Sequence, residues 1–171
     1  LMSMTRMSAR SAARNMPFEA PHQIVNRLNM DLLDDYSTVS MFSTAFVGTF
    51  DLSTRRLLFS NAGQSPILYM PVDDSPMLLE AQDIPVGVLE GYAYSSQQMD
   101  MNPGDILVVA TDGFNESRNN DDEMFGIERM LQALADMRTL DAKGIAEEML
   151  NLVTRFSESP LQDADPTTLV F

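Results

Sequence analysis

Apolar residues recur at helical spacing near both ends of the chain, whereas the middle shows short apolar runs typical of strands. The first stretch, residues 1–15, places Met4, Met7, Ser11 and Ala12 at helical spacing, which predicts a helix whose small-residue stripe packs on a sheet. An Asn-Met-Pro step at 15–17 ends it. A second helix is predicted from Pro21, since proline suits the first helical position. Its apolar face comprises Ile24, Val25, Leu28, Leu32 and Leu33.

The pattern then changes to the shorter period of strands. Residues 43–51 and 56–61 predict an antiparallel hairpin closed by a short polar turn. Further short strands are predicted at 67–70 and 77–79. Residues 92–101 are predicted to pair with 106–110, a continuous apolar run rich in β-branched residues and therefore buried on both faces.

Helical spacing returns after residue 126. One helix is predicted around Ile127–Leu134, fading near Met137, and another follows an N-cap at Asp141. The buried face of the later helix is predicted to comprise Ile145, Met149, Leu150, Val153 and Phe156. Residues 167–171 predict a final strand. Strands that follow one another in runs, instead of alternating with helices, indicate an α+β fold.

Length and composition predict one globular domain over residues 1–171 and exclude several classes of protein. The chain has no cysteine, which excludes disulfides, thiolate zinc sites and thiol catalysis. Its one histidine, His22, is expected to be solvated rather than catalytic. No apolar run approaches the ~20 residues of a membrane span. A net charge of −14 argues against nucleic acid or anionic lipid as a partner.

Residues 102–117, NPGDILVVATDGFNES, contain a predicted buried strand followed directly by a candidate metal-binding acid. The buried strand 106–110 stops abruptly at Thr111-Asp112-Gly113. An acid held where a rigid strand surfaces, beside a glycine that allows close approach, suits the binding of Mg²⁺ or Mn²⁺. The alternative interpretation is that Asp112-Gly113 only forms a turn that ends the strand.

Seven short motifs occur in a familiar order along nearly the whole chain. They are FSTAF (42–46), NAGQSP (61–66), PVGV (85–88), PGD (103–105), TDGFNES (111–117), FG (125–126) and DPTTLV (165–170). Together they resemble the bacterial metal-dependent serine/threonine phosphatases of the protein phosphatase 2C superfamily, in the branch of sporulation protein E and the sigma-B regulators. The conjunction carries the resemblance, because each motif alone is weak.

The resemblance implies a sandwich of two antiparallel sheets flanked by helices, with two Mn²⁺ or Mg²⁺ ions that activate water to attack a phosphoserine or phosphothreonine. It implies a cytoplasmic signalling enzyme whose substrate is a phosphorylated regulatory protein of the anti-sigma-factor antagonist type. A sensory or response-regulator domain is expected upstream, and a homodimer is left open.

The same resemblance assigns candidate site residues. Asp112 and Asp165 match metal-binding aspartates and are the predicted catalytic groups. Gly113 matches the glycine beside the metal ligand and is assigned to the metal site with them. Glu116 is expected to orient the loop, and the loop at 61–63 is interpreted as structural.

The sequence departs from the family pattern at three places that concern the site. The family's N-terminal GDVSGHG-like segment, which supplies another metal aspartate, is absent, and residues 1–15 resemble the helix that follows it. Pro166 replaces the second acid of the usual pair, and Gln64 stands where histidine is common. Two carboxylates suffice for one Mg²⁺ but not for two ions. We therefore expect this chain alone to bind one metal weakly or none, and to be active with the segment restored.

Two alternatives remain open at this point. One is a degenerate, non-catalytic phosphatase fold that binds a partner or relays a signal, which the missing segment motivates. The other is an unrelated acidic α+β domain. An intact GDVSGHG-type stretch upstream would argue strongly against the degenerate fold.

Overall fold

A computed structural model describes residues 2–15, 20–157 and 166–171 as four helices and seven strands. The helices are α1 (Met2–Asn15), α2 (Pro21–Val39), α3 (Gly126–Asp136) and α4 (Ala142–Ser157). The strands are β1 (Ala45–Asp51), β2 (Arg56–Ala62), β3 (Ile67–Met70), β4 (Met77–Leu78), β5 (Gln97–Asp100), β6 (Ile106–Ala110) and β7 (Thr168–Val170). They form two antiparallel sheets with flanking helices, so the predicted α+β class is confirmed.

The chain divides into two compact units, each built from two separate segments. One unit comprises Leu1–Gln64 with Ala81–Met101, and the other comprises Ser65–Glu80 with Asn102–Phe171. That residues 1–171 act as one domain stays a prediction.

The first unit contains the three-stranded sheet β1-β2-β5 with α1 and α2. The predicted hairpin is confirmed, because β1 pairs with β2 from Ala45 opposite Ala62 to Asp51 opposite Arg56. The predicted face of α2 is buried at Ile24, Val25, Leu28 and Leu32, and Leu33 is half-buried. The four buried side chains join one apolar core with Ala62, Val86 and Tyr94.

The second unit contains the four-stranded sheet β4-β3-β6-β7 with α3 and α4. The apolar run at 106–110 forms β6, an inner strand between β3 and β7, as its composition predicts. Asp141 is confirmed as an N-cap, since its carboxylate accepts the Gly144 N–H at 2.7 Å. Of the predicted α4 face, Ile145, Met149 and Val153 are buried. Phe156 packs against the core, and Leu150 is 40% exposed, so its predicted burial was wrong.

The prediction for α1 was wrong in its packing partner. The helix packs against α2, where Thr5 and Tyr36 share a hydrogen bond of 2.7 Å and Ala12 is buried. Met7, predicted to face a sheet, is 72% exposed. Small residues allow close approach to any partner, so their spacing does not distinguish a helix from a sheet.

The predicted pairing of residues 92–101 with 106–110 was also wrong. The strand β5 pairs instead with β2, with Arg56 opposite Asp100. The connection at 102–105 is therefore not a hairpin turn. Its Asp105 carboxylate accepts hydrogen bonds from the backbone N–H groups of Asn102 and Val72.

Asp105 is a buried carboxylate with three donors. It accepts the Tyr69 hydroxyl at 2.6 Å and the N–H groups of Val72 and Asn102 at 2.7 Å each. Burial alone raises the pKa of Asp105, but the hydrogen bonds outweigh it and hold the pKa below its ordinary value. Burial and the bond to Asp105 raise the pKa of Tyr69 to about 12.

We expect Asp105→Asn to lower the free energy of unfolding by about 2 kcal/mol at neutral pH, because an amide presents a donor to groups that already donate. A depressed carboxyl pKa adds stability above its unfolded value of about 3.9, and this stability is lost as the pH falls through the folded pKa. Denaturant unfolding at several pH values measures both effects. The exposed Asp73→Asn is the matched control, and an equal loss in both variants would contradict this account.

A second buried network joins α2 to the loop at 85–89. Asn29 accepts the Gly87 N–H at 2.7 Å through Oδ1 and donates through Nδ2 to the Leu89 carbonyl at 2.9 Å. The Tyr94 hydroxyl donates to the Pro85 carbonyl at 3.0 Å. Gly87 has φ +89°, and a Cβ there would lie 2.3 Å from Cδ2 of Tyr36. Only glycine both adopts this positive φ without strain and leaves room for the Tyr36 ring.

Candidate functional site

Asp112 lies on a tight loop that begins where β6 ends. The Phe114 N–H donates to the Thr111 carbonyl at 3.0 Å, and the Glu116 N–H donates to the Asp112 carbonyl at 2.9 Å. Phe114 is fully buried in the apolar core of its unit and anchors the loop. Two consecutive turns, which directly follow a buried strand, thus hold the Asp112 backbone in place.

The Asp112 side chain is exposed, and one of its oxygens has a hydrogen bond to a described residue. Its Oδ1 accepts the Gly113 N–H at 2.9 Å, and no group in the described part of the chain bonds to Oδ2. The carboxylate is therefore oriented by one bond and keeps one oxygen available for a cation. Gly113 itself is buried.

The sequence did not identify the residue that fastens this loop. The buried Ser117 hydroxyl donates to the Gly113 carbonyl at 2.6 Å, and its own carbonyl accepts the Phe125 N–H at 2.8 Å. The side chain of Glu116, expected to orient the loop, is exposed and forms no hydrogen bond in the described residues. A serine four residues after a glycine is the local signal that could have suggested this contact.

The loop also contains a buried acceptor. Oδ1 of Asn115 is one of two buried side-chain oxygens in the described residues without a hydrogen-bond partner, the other being the Ser60 hydroxyl. Carboxylate and amide oxygens are ligands of hard divalent cations, so the donor chemistry of the 112–117 loop fits Mg²⁺ or Mn²⁺. No three acidic or histidine side chains of the described ranges come together as a metal site. This loop can therefore supply part of such a site.

Asp165 lies outside the described residues. Thr167, two positions later, is tied to the residue immediately before Asp112. The Thr167 N–H donates to Thr111 Oγ1 at 3.0 Å, and the Thr111 N–H donates to the Thr167 carbonyl at 3.0 Å.

The remaining candidate positions are held by local contacts. Asn61 closes its loop on Gln64 through two hydrogen bonds, of 2.8 and 3.1 Å, which agrees with a structural role. His22 is half-buried, and its Nδ1 and the Ser96 hydroxyl lie 2.7 Å apart. Within the described part of the chain, no helix combines the length and hydropathy needed to cross a membrane.

The family model for stage II sporulation protein E (SpoIIE) matches residues 1–171, so the chain belongs to this family. Protein IcfG of Synechocystis sp. is 28% identical over 109 residues, which is 63% of this chain and 17% of IcfG. The phosphoserine phosphatase RsbU of Bacillus subtilis is 27% identical over 99 residues, which is 57% of this chain and 29% of RsbU. The chain thus spans less than a third of either relative.

Solved structures show the same fold. The SiaA-PP2C domain of Pseudomonas aeruginosa matches 99% of this chain and 67% of its own, with a TM-score of 0.86 at 19% identity. The PP2C phosphatase domain of SpoIIE from Bacillus subtilis, solved with a fragment of its regulatory domain, has a TM-score of 0.74 at 19% identity. It covers 97% of this chain and 48% of its own. The chain therefore has the fold of a PP2C-type phosphatase domain, and the resemblance drawn from its motifs is confirmed.

Proposed function

We propose that this domain is a metal-dependent phosphoserine/phosphothreonine protein phosphatase of bacterial signalling. The observation that carries the proposal is the Asp112 carboxylate, which is held at the end of a buried strand with one oxygen bonded and the other available. Membership of the SpoIIE family supports a hydrolytic role for this acid. Bound Mn²⁺ or Mg²⁺ would lower the pKa of water and neutralise phosphoryl charge.

The residues of this chain would position that chemistry rather than react covalently. Asp112 would hold the cation through its available oxygen, while the Gly113 N–H fixes the other oxygen. Gly113 also matches the family's metal-site glycine, but its carbonyl already accepts the Ser117 hydroxyl, so that oxygen would serve a cation only through its second lone pair. Ser117 keeps the loop from shifting.

We propose Asp165 as the second aspartate of the site. Its support is the pair of hydrogen bonds between Thr111 and Thr167, which joins the segment after Asp165 to the residue before Asp112. Two carboxylates are few for two ions, so the other ligands of a complete site would come from a segment preceding residue 1.

The proposed substrate is a phosphorylated regulatory protein of the anti-sigma-factor antagonist type. The similarity to RsbU, a phosphoserine phosphatase, supports phosphoserine as the group attacked. We propose in addition that a sensory or response-regulator domain precedes this one in a longer cytoplasmic protein. The limited share of the relatives that the chain covers supports such a domain.

A non-catalytic phosphatase-fold module is the second candidate. The observation that favours it is that residues 2–15, 20–157 and 166–171 bring no three potential metal ligands together. Such a module would bind its partner without releasing phosphate, so turnover separates the two candidates.

Phosphate release from a phosphoserine peptide tests the leading proposal. We expect turnover by the full-length protein with Mn²⁺ or Mg²⁺, and a loss of at least about 100-fold when EDTA removes the metal, because the chain offers no nucleophile of its own in this role. Readdition of metal should restore the rate. Turnover that is insensitive to EDTA would contradict a metal-dependent mechanism, and absence of turnover with intact partner binding would favour the second candidate.

A further inference from the structure

One side of α1 concentrates positive charge in an otherwise acidic chain. Arg6, Arg10 and Arg14 are spaced four residues apart and are all exposed, and Met7 beside them is 72% exposed. Side chains at this spacing lie on one side of a helix, about 6 Å apart along its axis. We call these four residues the arginine face. The helix contains no acidic residue.

The opposite side of α1 contacts α2. Thr5 bonds to Tyr36, and the Ser8 hydroxyl donates to Asp31 at 2.5 Å. Contacts of this kind fix the rotation of α1 about its axis. The arginine face is therefore turned away from α2.

Within the described part of the chain, the arginines of the arginine face differ from most other basic residues in having no polar partner. Arg6, Arg10 and Arg14 form no hydrogen bond or ion pair with any described residue. Among the described residues outside α1, every lysine and arginine except Arg55 has a carboxylate or carbonyl partner. These partnered residues are Arg27, Arg56, Arg118, Arg129, Arg138, Lys143 and Arg155.

Like charges four residues apart slightly destabilise a helix. Three such charges lie on this one short helix, and no acidic residue of the described ranges pairs with them, although the chain has 25 acidic residues in all. An anionic group lying across the face would offset this repulsion.

We infer that the arginine face is a docking surface for a carboxylate-rich segment of a partner protein. Guanidinium groups bind carboxylates through two parallel hydrogen bonds, which matches Asp and Glu side chains at a similar spacing. The exposed Met7 offers an apolar contact among the charges. The screening length at physiological ionic strength is about 8 Å, so a short segment lying on α1 meets the three arginines rather than the charge of the whole chain.

A short segment fits this chain better than nucleic acid does. A net charge of −14 repels an extended polyanion that reaches beyond α1. Two copies of the chain repel each other for the same reason. The surface involves none of the residues proposed to act on phosphate, and its test needs no catalytic readout.

The test is the binding of a fluorescent alanine-based helical peptide that carries glutamate at every fourth position, measured by anisotropy with the full chain. We expect the variant R6Q/R10Q/R14Q to bind at least about tenfold more weakly, as for the loss of three exposed ion pairs. Glutamine keeps the helix propensity of arginine. A matched peptide with glutamine should not bind, and added salt should weaken binding to the wild-type chain.

Two further variants control for fold and net charge. R55Q/R118Q/K143Q removes the same charge from exposed sites elsewhere and should leave the affinity for the peptide within about twofold, because these sites lie outside the arginine face and distant exposed charges are screened. R6K/R10K/R14K keeps the charge and should retain more binding than the glutamine variant. Equal weakening by both glutamine variants would overturn the inference. It would likewise fall if duplex DNA bound more tightly than the peptide, or if the arginine face proved to mediate only self-association in sedimentation.

Discussion

In the full-length protein, Asp112→Asn is expected to lower kcat/KM for a phosphoserine peptide by at least about 100-fold in the presence of Mn²⁺. Asparagine can keep the bond from the Gly113 N–H, which is 2.9 Å long in the native loop, while losing the negative charge. The loop should therefore keep its shape while its affinity for the cation falls. Calorimetric titration with Mn²⁺ should show weaker binding in parallel with the lost rate.

Asp121→Asn is the matched control for this substitution. Asp121 is exposed on the acidic loop before α3, and the same chemical change there should leave both the rate and metal binding within about twofold, as for most exposed substitutions. An Asp112→Asn variant with undiminished metal-dependent turnover would show that Asp112 only forms a turn, which is the alternative that its sequence left open.

Gly87→Ala is expected to lower the free energy of unfolding by about 3 kcal/mol or more, the largest effect on stability that we predict. Two costs add at this position. The backbone has φ +89°, which a residue with a Cβ adopts unfavourably, and the new methyl group would lie 2.3 Å from Cδ2 of the buried Tyr36. Denaturant unfolding measures the sum.

Gly91→Ala separates the two costs. Gly91 has φ +67°, and a methyl group added there would have no atom within 4 Å, so its substitution carries the backbone cost of about 1 kcal/mol alone. In a Tyr36→Ala background, Gly87→Ala should cost at least about 1 kcal/mol less than in the native chain. Equal costs at Gly87 and Gly91 would show that the contact with Tyr36 is not responsible.

Periodicity predicted most elements of this fold. The apolar face of α2, the β1–β2 hairpin and the N-cap at Asp141 are local features, and each follows from residues close together in sequence. The strand with which β5 pairs could not be predicted in this way, because it is distant in sequence. The strand β5 pairs with β2, and partners such as Arg56 and Asp100 are far apart in sequence, so the pairing leaves no periodic signal.

In the candidate site, too, some features could be predicted from the sequence and others could not. Asp112 could be proposed as a site residue because a buried strand ends beside an acid and a glycine, and because the surrounding motif resembles that of a family. Ser117 could not, since its role comes from the fold of a single loop, where its hydroxyl reaches the Gly113 carbonyl. Oδ1 of Asn115 is buried and has no hydrogen-bond partner among the described residues. The polar sequence of this loop does not indicate that burial. Asp165 remains a prediction from its motif.

The path of the chain through its two units constrains the order in which they can form during synthesis. The unit that begins with α1 also contains β5, so it cannot be completed until Met101 has left the ribosome. By then β3 and β4 have already been synthesised. Their sheet cannot be completed before β6 is made, because β6 lies between β3 and β7. At about 5–20 residues per second, β7, the last strand of this sheet, is synthesised several seconds after Met101. During that interval a nascent chain exposes apolar β3 residues such as Leu68 and Met70, so chaperones that bind such surfaces would meet it at this stage.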